Sequence, residues 1–277
     1  MFKDILLTLP SFPRTASLPT LQKAIDLAAT LDAHLTCAVT EPRIPLPVAY
    51  HPYGAELEKQ LNARQREAHE VALGQMAAFE DEARRAGIKH SARIVTAADG
   101  SDVIDPIVDC ARLFNLTLVP FLSENEACAD IVQALTFDSG RPVLVLPEND
   151  KGQFKLNKVM VAWDGGRAAA RAIADALPLL QRAGEVEVVT VSKDKQLPQT
   201  ATGSELATHL ARNGVTVTLK EIEKNGRSVG EVLDEAAADA DLVVMGAFGH
   251  SRIRDFFLGG ATTHVLKTPK RPTLLSH

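Results

Sequence analysis

The chain repeats itself. Residues 5–40, ILLTLPSFPRTASLPTLQKAIDLAATLDAHLTCAVT, and residues 159–192, VMVAWDGGRAAARAIADALPLLQRAGEVEVVTVS, share one pattern: apolar run, turn, amphipathic segment, second apolar run. Further on, DGSDVIDPIVDCARLFNLTLVPF (99–121) parallels NGRSVGEVLDEAAADADLVVMGA (225–247), and GRPVLVLP (140–147) parallels KRPTLLSH (270–277). Three blocks kept in the same order restrict the fold to two copies of one plan. A chain of 277 residues gives each copy about 140, enough for a core of its own.

Within each copy the runs KVMVAW, VEVVTV, VTVTLKEI and DLVVMG are valine-rich and continuous rather than alternating, as strands covered on both faces read. Between them Ala172, Ala176, Leu179 and Leu180 keep helical spacing, as do Val229, Leu233, Ala236 and Ala237. SVGE, Ser228 to Glu231, has the spacing of a capping box that would start the second of these helices. Strands alternating with helices predict right-handed crossovers and a doubly wound parallel sheet, with ligands at the carboxyl ends of the strands. The domains expected are 1–148 and 156–277, joined by the polar segment PENDKGQFKLN. The apolar edges RPVLVL and RPTLL would join the two sheets, or pair between chains in a homodimer.

The first copy carries an insertion, EPRIPLPVAYHPYGAE (41–56), either a flap over a pocket, a packing arm, or an ordinary surface loop. A long helix follows from about Leu57 to Arg85, with Leu57, Leu61, Ala68, Val71 or Ala72, Phe79 and Ala83 on its apolar side. Cys37, Cys110 and Cys128 are too few and too scattered for a disulfide framework or a zinc site and read as small buried hydrophobes. A net charge of -5 gives no general attraction to nucleic acid. No apolar run approaches a membrane span, and the acidic residue and prolines of MFKDILLTLPSFPR do not suit a secretory signal. The expected location is the cytoplasm, with no membrane or nucleic-acid partner.

The stretch MGAFGHSRIRDFFLGGATTHVL, residues 245–266, places Gly246, Gly249, Gly259 and Gly260 after an apolar strand and before a helix that Pro269 must stop. Such glycines simply make loops, or they bare main-chain N–H donors and a helix N-terminus toward an anion such as phosphate. His250, Arg252 and Arg254 add positive charge. Gly246-x2-Gly249-x9-Gly259 reproduces the G-2x-G-9x-G signature of the universal stress protein family. DLVVMGAFG and RPTLL look like that family's fourth and fifth strands, so the chain resembles a tandem member.

The resemblance implies two tandem five-stranded parallel sheets of the adenine nucleotide alpha hydrolase-like kind, strand order 3-2-1-4-5. It also implies ATP, with Mg2+, in the second copy. There Asp164 would lie by the nucleoside, the backbone of Val191 would meet adenine, Met245 would line the base and Gly246 the ribose. Gly249, His250, Gly259, Gly260 and Ala261 would surround the phosphates. Asp164 reads equally as a strand-end turn residue. Gly260 stands where the family's ATP binders carry Ser or Thr, the loss of a donor worth roughly 0.5–3 kcal/mol, for which Thr262 or Thr263 could compensate.

In the first copy Pro120, Phe121 and Glu124 stand where glycines are wanted and LLTLPSF ends without a carboxylate, so a nucleotide site there is degenerate. No P-loop, nucleophile elbow or HExxH pair is present, and no nucleophile assembles with a general base. The function expected is a stress-response module that binds adenine nucleotide and signals to a second copy or an unknown protein partner. The alternative is a scaffold or chaperone-like stress protein without nucleotide. A slow ATPase is the weaker third reading.

Overall fold

The computed structural model describes residues 2–10, 15–41, 54–97, 103–121, 126–150, 152–192, 202–247, 260–267 and 269–277. Tertiary contacts divide the chain into two units, Phe2–Val119 and Pro120–His277. The first unit runs β1 (Asp4–Pro10), α1 (Leu18–Leu31), β2 (His34–Glu41), α2 (Gly54–Arg85), β3 (His90–Thr96), α3 (Ile104–Ala111) and most of β4 (Leu116–Phe121). Its strands lie in the order β3-β2-β1-β4, all parallel, with Asp4 opposite His34 and Ile5 opposite Leu116. Leu6, Leu7, Leu35, Leu116 and Leu118 are fully buried, as strands sandwiched between helices must be.

The second unit begins with the last two residues of β4. It continues through α4 (Glu126–Asp138), β5 (Val143–Pro147), β6 (Lys158–Ala162), α5 (Arg167–Leu180), β7 (Glu185–Ser192) and α6 (Gly203–Arg212). It ends with β8 (Thr218–Glu223), α7 (Val229–Ala236), β9 (Leu242–Gly246), α8 (Gly260–Lys267) and β10 (Thr273–Ser276). Read by its own repeat, β8-β7-β6-β9-β10 is the order 3-2-1-4-5, all parallel. In the first repeat the order 3-2-1-4 lies in the first unit, and Phe121 O at the end of β4 accepts Glu148 N, just past β5, at 3.1 Å. The duplicated α/β architecture is as the pattern predicts.

The unit boundary falls inside β4 because β5 pairs with β10. The pairing is antiparallel, with Val143 opposite Leu275 and Val145 opposite Thr273. Each apolar edge thereby covers the other, so the edges that could have joined two chains are used within one. The polar segment 147–157 is more than a tether: Phe154 and Leu156 are buried, and Leu156 O accepts Gly184 N at 2.8 Å.

The helices follow their patterns. Ala172, Ile173, Ala176, Leu179 and Leu180 form the buried side of α5, with Ile173 and Leu179 worth about 2 kcal/mol each. The box at the start of α7 is complete: Ser228 Oγ accepts Glu231 N at 3.2 Å and Glu231 Oε2 accepts Ser228 N at 2.7 Å.

Helix α2 departs from expectation at one end. Ala68, Ala72, Phe79 and Ala83 are buried, but Leu57 is 45% exposed. The cause is length, since 32 residues of helix span about 48 Å against roughly 25 Å for the strands beneath. The first turns therefore run past the sheet. Residues 42–53 of the insertion lie outside the described residues.

Cys37 and Cys128 are buried as expected, whereas Cys110 is half-buried and its sulfur accepts Arg93 Nη2 at 3.0 Å. Burial pushes the Cys37 thiol well above its ordinary range, which leaves it unreactive. No helix among the described residues is long and apolar enough to cross a membrane.

Candidate functional site

Strand order reverses between β6 and β9. The chain leaves β6 toward β7 and β8, then crosses back to β9 on the other side of β6. The carboxyl ends of these two strands face the crevice that such a reversal opens. Ladder register sets the rim: Ala162 lies opposite Val189 and Met245, and Gly246 opposite Ser276.

Asp164 follows β6, exposed, with Oδ1 accepting Gly166 N at 2.8 Å. Gly165 between them has φ 70°, a conformation a side chain disfavours. The aspartate therefore shapes the turn that starts α5, and its carboxylate stays at the crevice rim. Both readings of this residue are compatible with that geometry.

Gly246 closes β9 against α5. A Cβ there would sit 2.3 Å from Ala169 N and 2.5 Å from Ala168 C. Only a hydrogen fits, so helix packing demands this glycine with or without a ligand. The sequence reading gave the position to a ribose and missed this reason.

Met245, 4% exposed, lines a cavity under α7 and α8 together with Met160 and Leu233. Val191, half-buried near the end of β7, pairs with Ile222 of β8. It lies beyond the last β6–β7 pair, Ala162 with Val189, where Trp163 N closes on Val189 O at 2.9 Å. Val191 and Ala261 pack against the same core cluster, which brings the end of β7 and the start of α8 onto one face.

Gly260 opens α8, and a Cβ on it would meet nothing within 4 Å. Thr262 is buried, and the buried Oγ1 of Thr263 has no hydrogen-bond partner among the described residues. Gly249, His250 and Gly259 lie outside the described residues.

The sequence reading also passed over the end of β10. Ser276 is buried with its Oγ unpartnered among the described residues. His277 Nδ1 lies 3.0 Å from Ala247 O and its Nε2 lies 3.0 Å from Arg167 Nη2. A carbonyl only accepts and a guanidinium only donates, so the proton sits on Nδ1. The ring thus ties the exit of β9 to the first residue of α5. The signal was present in the order 4-5, which sets the end of one strand beside the other.

The first copy is built differently at the same level. Both first strands begin their ladders alike, Asp4 opposite His34 and Lys158 opposite Glu185, so Pro10 stands where Asp164 stands. By the same count Glu41 matches Ser192. Glu41 is 5% exposed, accepting Gln65 Nε2 at 2.7 Å and His69 Nδ1 at 2.9 Å. Gln75 Nε2 donates to Pro10 O at 2.7 Å. Side chains of α2 therefore occupy the strand ends, and the buried carboxylate is paired as its desolvation requires. Pro120 and Phe121 are buried in β4, and Glu124 lies outside the described residues. Among the described residues no group of three or more metal-ligating side chains gathers.

Fold and register define a tandem doubly wound α/β protein, with the switch point of its second copy between β6 and β9. Residues 155–277 match the model of the universal stress protein family. Nearly the whole chain is similar in structure to a universal stress protein from Archaeoglobus fulgidus DSM 4304. The two are 17% identical with TM-score 0.70, over 98% of this chain and 95% of that one. It is similar likewise to a functionally unknown protein from Pseudomonas aeruginosa PAO1, at 17% identity and TM-score 0.62, over 99% of this chain and 92% of that one. At these identities the likeness is one of fold, here the fold of a two-domain universal stress protein. No curated protein matches the chain.

Proposed function

We propose that the second copy binds an adenine nucleotide, ATP with Mg2+, at the β6–β9 crevice, and that the chain acts as a nucleotide-responsive stress-response module in the cytoplasm. The observation that carries this reading is the asymmetry of the strand ends: side chains of α2 hold Glu41 and Pro10 in the first copy, while the second keeps a carboxylate at its rim and a helix start at its edge. Asp164 would meet the nucleoside, and the main chain of Val191 and the side of Met245 would border the base. The amides of Gly260 and Ala261 at the start of α8 would meet phosphate, with Gly246, Gly249, His250 and Gly259 completing the loop. The hydroxyl of Thr263, which has no partner among the described residues, would supply the donor that Gly260 lacks. In this reading the bound nucleotide biases a surface instead of being turned over. A partner protein or a second copy would read that surface. A homodimer would use an edge other than β5 or β10, such as β8.

The test is melting of the purified chain against ATP with Mg2+, with product followed in parallel. A saturable rise without ADP supports the module, and Gly260→Ser, which restores a hydroxyl where there is room for it, raises affinity about tenfold. A flat melting temperature at millimolar ATP overturns the nucleotide and leaves a scaffold. Stoichiometric ADP release overturns the switch in favour of an ATPase.

A further inference from the structure

Helices α7 and α8 are pinched together at one end. A Cβ on Gly230 would fall 2.4 Å from His264 Cβ. Beside that contact, toward the amino-terminal ends of β9 and β10, the packing leaves a space. It is a cavity of about 190 Å3 between Met160, Met245, Leu233, Ala237 and Val265, with Lys270 and Arg271 also on its wall. Interiors seldom leave gaps larger than a water molecule, and an apolar cavity of about 150 Å3 admits benzene. This one has room for a ligand.

Charge at the opening is uneven. Asp234 Oδ2 accepts both His264 Nε2 at 3.1 Å and Lys270 Nζ at 2.9 Å. The Arg271 guanidinium donates to the main-chain carbonyls of Lys270 and Ala238, which carry no formal charge. Lysine and arginine thus face a single carboxylate, and the lysine side chain is 62% exposed and able to turn. An apolar hollow with a cationic lip suits a compact apolar body bearing one anionic group.

We propose that this cavity is a binding site for a small carboxylic acid of benzoate or hexanoate size. The apolar body lies between the two methionines and Leu233, and the carboxylate meets Arg271 and Lys270. Lys270, Arg271, Val243 and Thr273 place part of its wall at the amino-terminal ends of β9 and β10, and it does not rest on the nucleotide reading. Met245 is the residue common to both.

The methionines make the test direct. The chain has four, Met1, Met76, Met160 and Met245, and the last two line the cavity. Full-length protein labelled with 13C at the methionine methyls is titrated with benzoate. Met160 and Met245 shift saturably with Kd on the order of 1 mM, as a ligand this small allows, while Met1 and Met76 stay still. Benzyl alcohol, the same body without charge, binds roughly tenfold more weakly, and Arg271→Gln brings benzoate down to that level. Ala237→Phe fills the space and abolishes both shifts. If that variant does not fold, the wild-type and Arg271→Gln titrations still decide. Absence of saturable movement at Met160 and Met245 overturns the site, as do equal shifts at all four methyls or a benzoate shift that survives Ala237→Phe. Equal affinity for benzyl alcohol and benzoate overturns the carboxylate. ATP is absent from these titrations, so a failed nucleotide proposal leaves the outcome untouched, and the reverse holds.

Discussion

Substituting Gly246 by alanine isolates what this glycine does. The added carbon would lie 2.3 Å from Ala169 N, 2.5 Å from Ala168 C and 2.8 Å from Ala169 Cα, about 1 Å inside the ~3.5 Å at which such atoms rest. All three obstacles are backbone, so no rotamer change relieves them. Moving α5 instead would disturb the buried Ala172, Ile173, Ala176 and Leu179. Overpacking costs about 1–3 kcal/mol, and a rigid neighbour places this case near 3. For a unit of this size, ~3 kcal/mol lowers the melting temperature by roughly 6–12 °C. Differential scanning calorimetry without nucleotide should show that drop for Gly246→Ala. Gly260→Ala, with nothing within 4 Å of its new carbon, should match or exceed wild type by up to about 1 kcal/mol. A Gly246→Ala protein melting within about 1 °C of wild type would refute the packing argument and return the glycine to a ligand.

Ser228→Ala removes one half of the capping box and should cost about 1 kcal/mol in urea denaturation. His69→Ala leaves Glu41 buried with Gln65 and should cost about 1–2 kcal/mol, less than a fully enclosed pair because the imidazole is half exposed. Combined with Glu41→Gln the loss should be smaller than the sum, read from a double-mutant cycle. Acid should weaken the fold through three carboxylates. Asp32 is held below its usual 3.8 by bonds from Lys89 and Lys3, Glu231 below its usual 4.5 by Ser228, and Asp239 below its usual 3.8 by Lys158. A depressed folded value means the stabilisation is complete above the unfolded value and is lost as pH falls through the folded one. Urea midpoints should therefore decline on acidification below about pH 4.5, and Asp32→Asn with Glu231→Gln should flatten that decline.

Periodicity carried the architecture. The doubled plan, the buried side of α5 and the box at Ser228 and Glu231 all depend on spacing along one segment, which a sequence displays directly. What depended on neighbours across the fold was hidden. Leu57 has the right spacing for a core position, yet nothing in its own segment tells how far the sheet beneath extends. Gly246 was noticed as a glycine, but the helix pressed against it lies some eighty residues earlier in the chain. Glu41, Gln65 and His69 meet only because α2 crosses the end of β2, and Phe154 and Leu156 sit in a segment whose neighbours are polar. At the candidate site, the strand-end positions follow from the fold class. The contacts of α2 with Glu41 and Pro10 and the His277–Arg167 tie join distant segments, which no local spacing displays.

The antiparallel seam between β5 and β10 also bears on how a duplicated chain behaves. Two copies on separate polypeptides would find this seam by collision, and its occupancy would rise and fall with concentration. On one polypeptide the partner strand is always within reach, so dilution cannot open the seam. Expressing the halves apart would return that dependence, along with two adhesive margins that the duplication keeps out of sight.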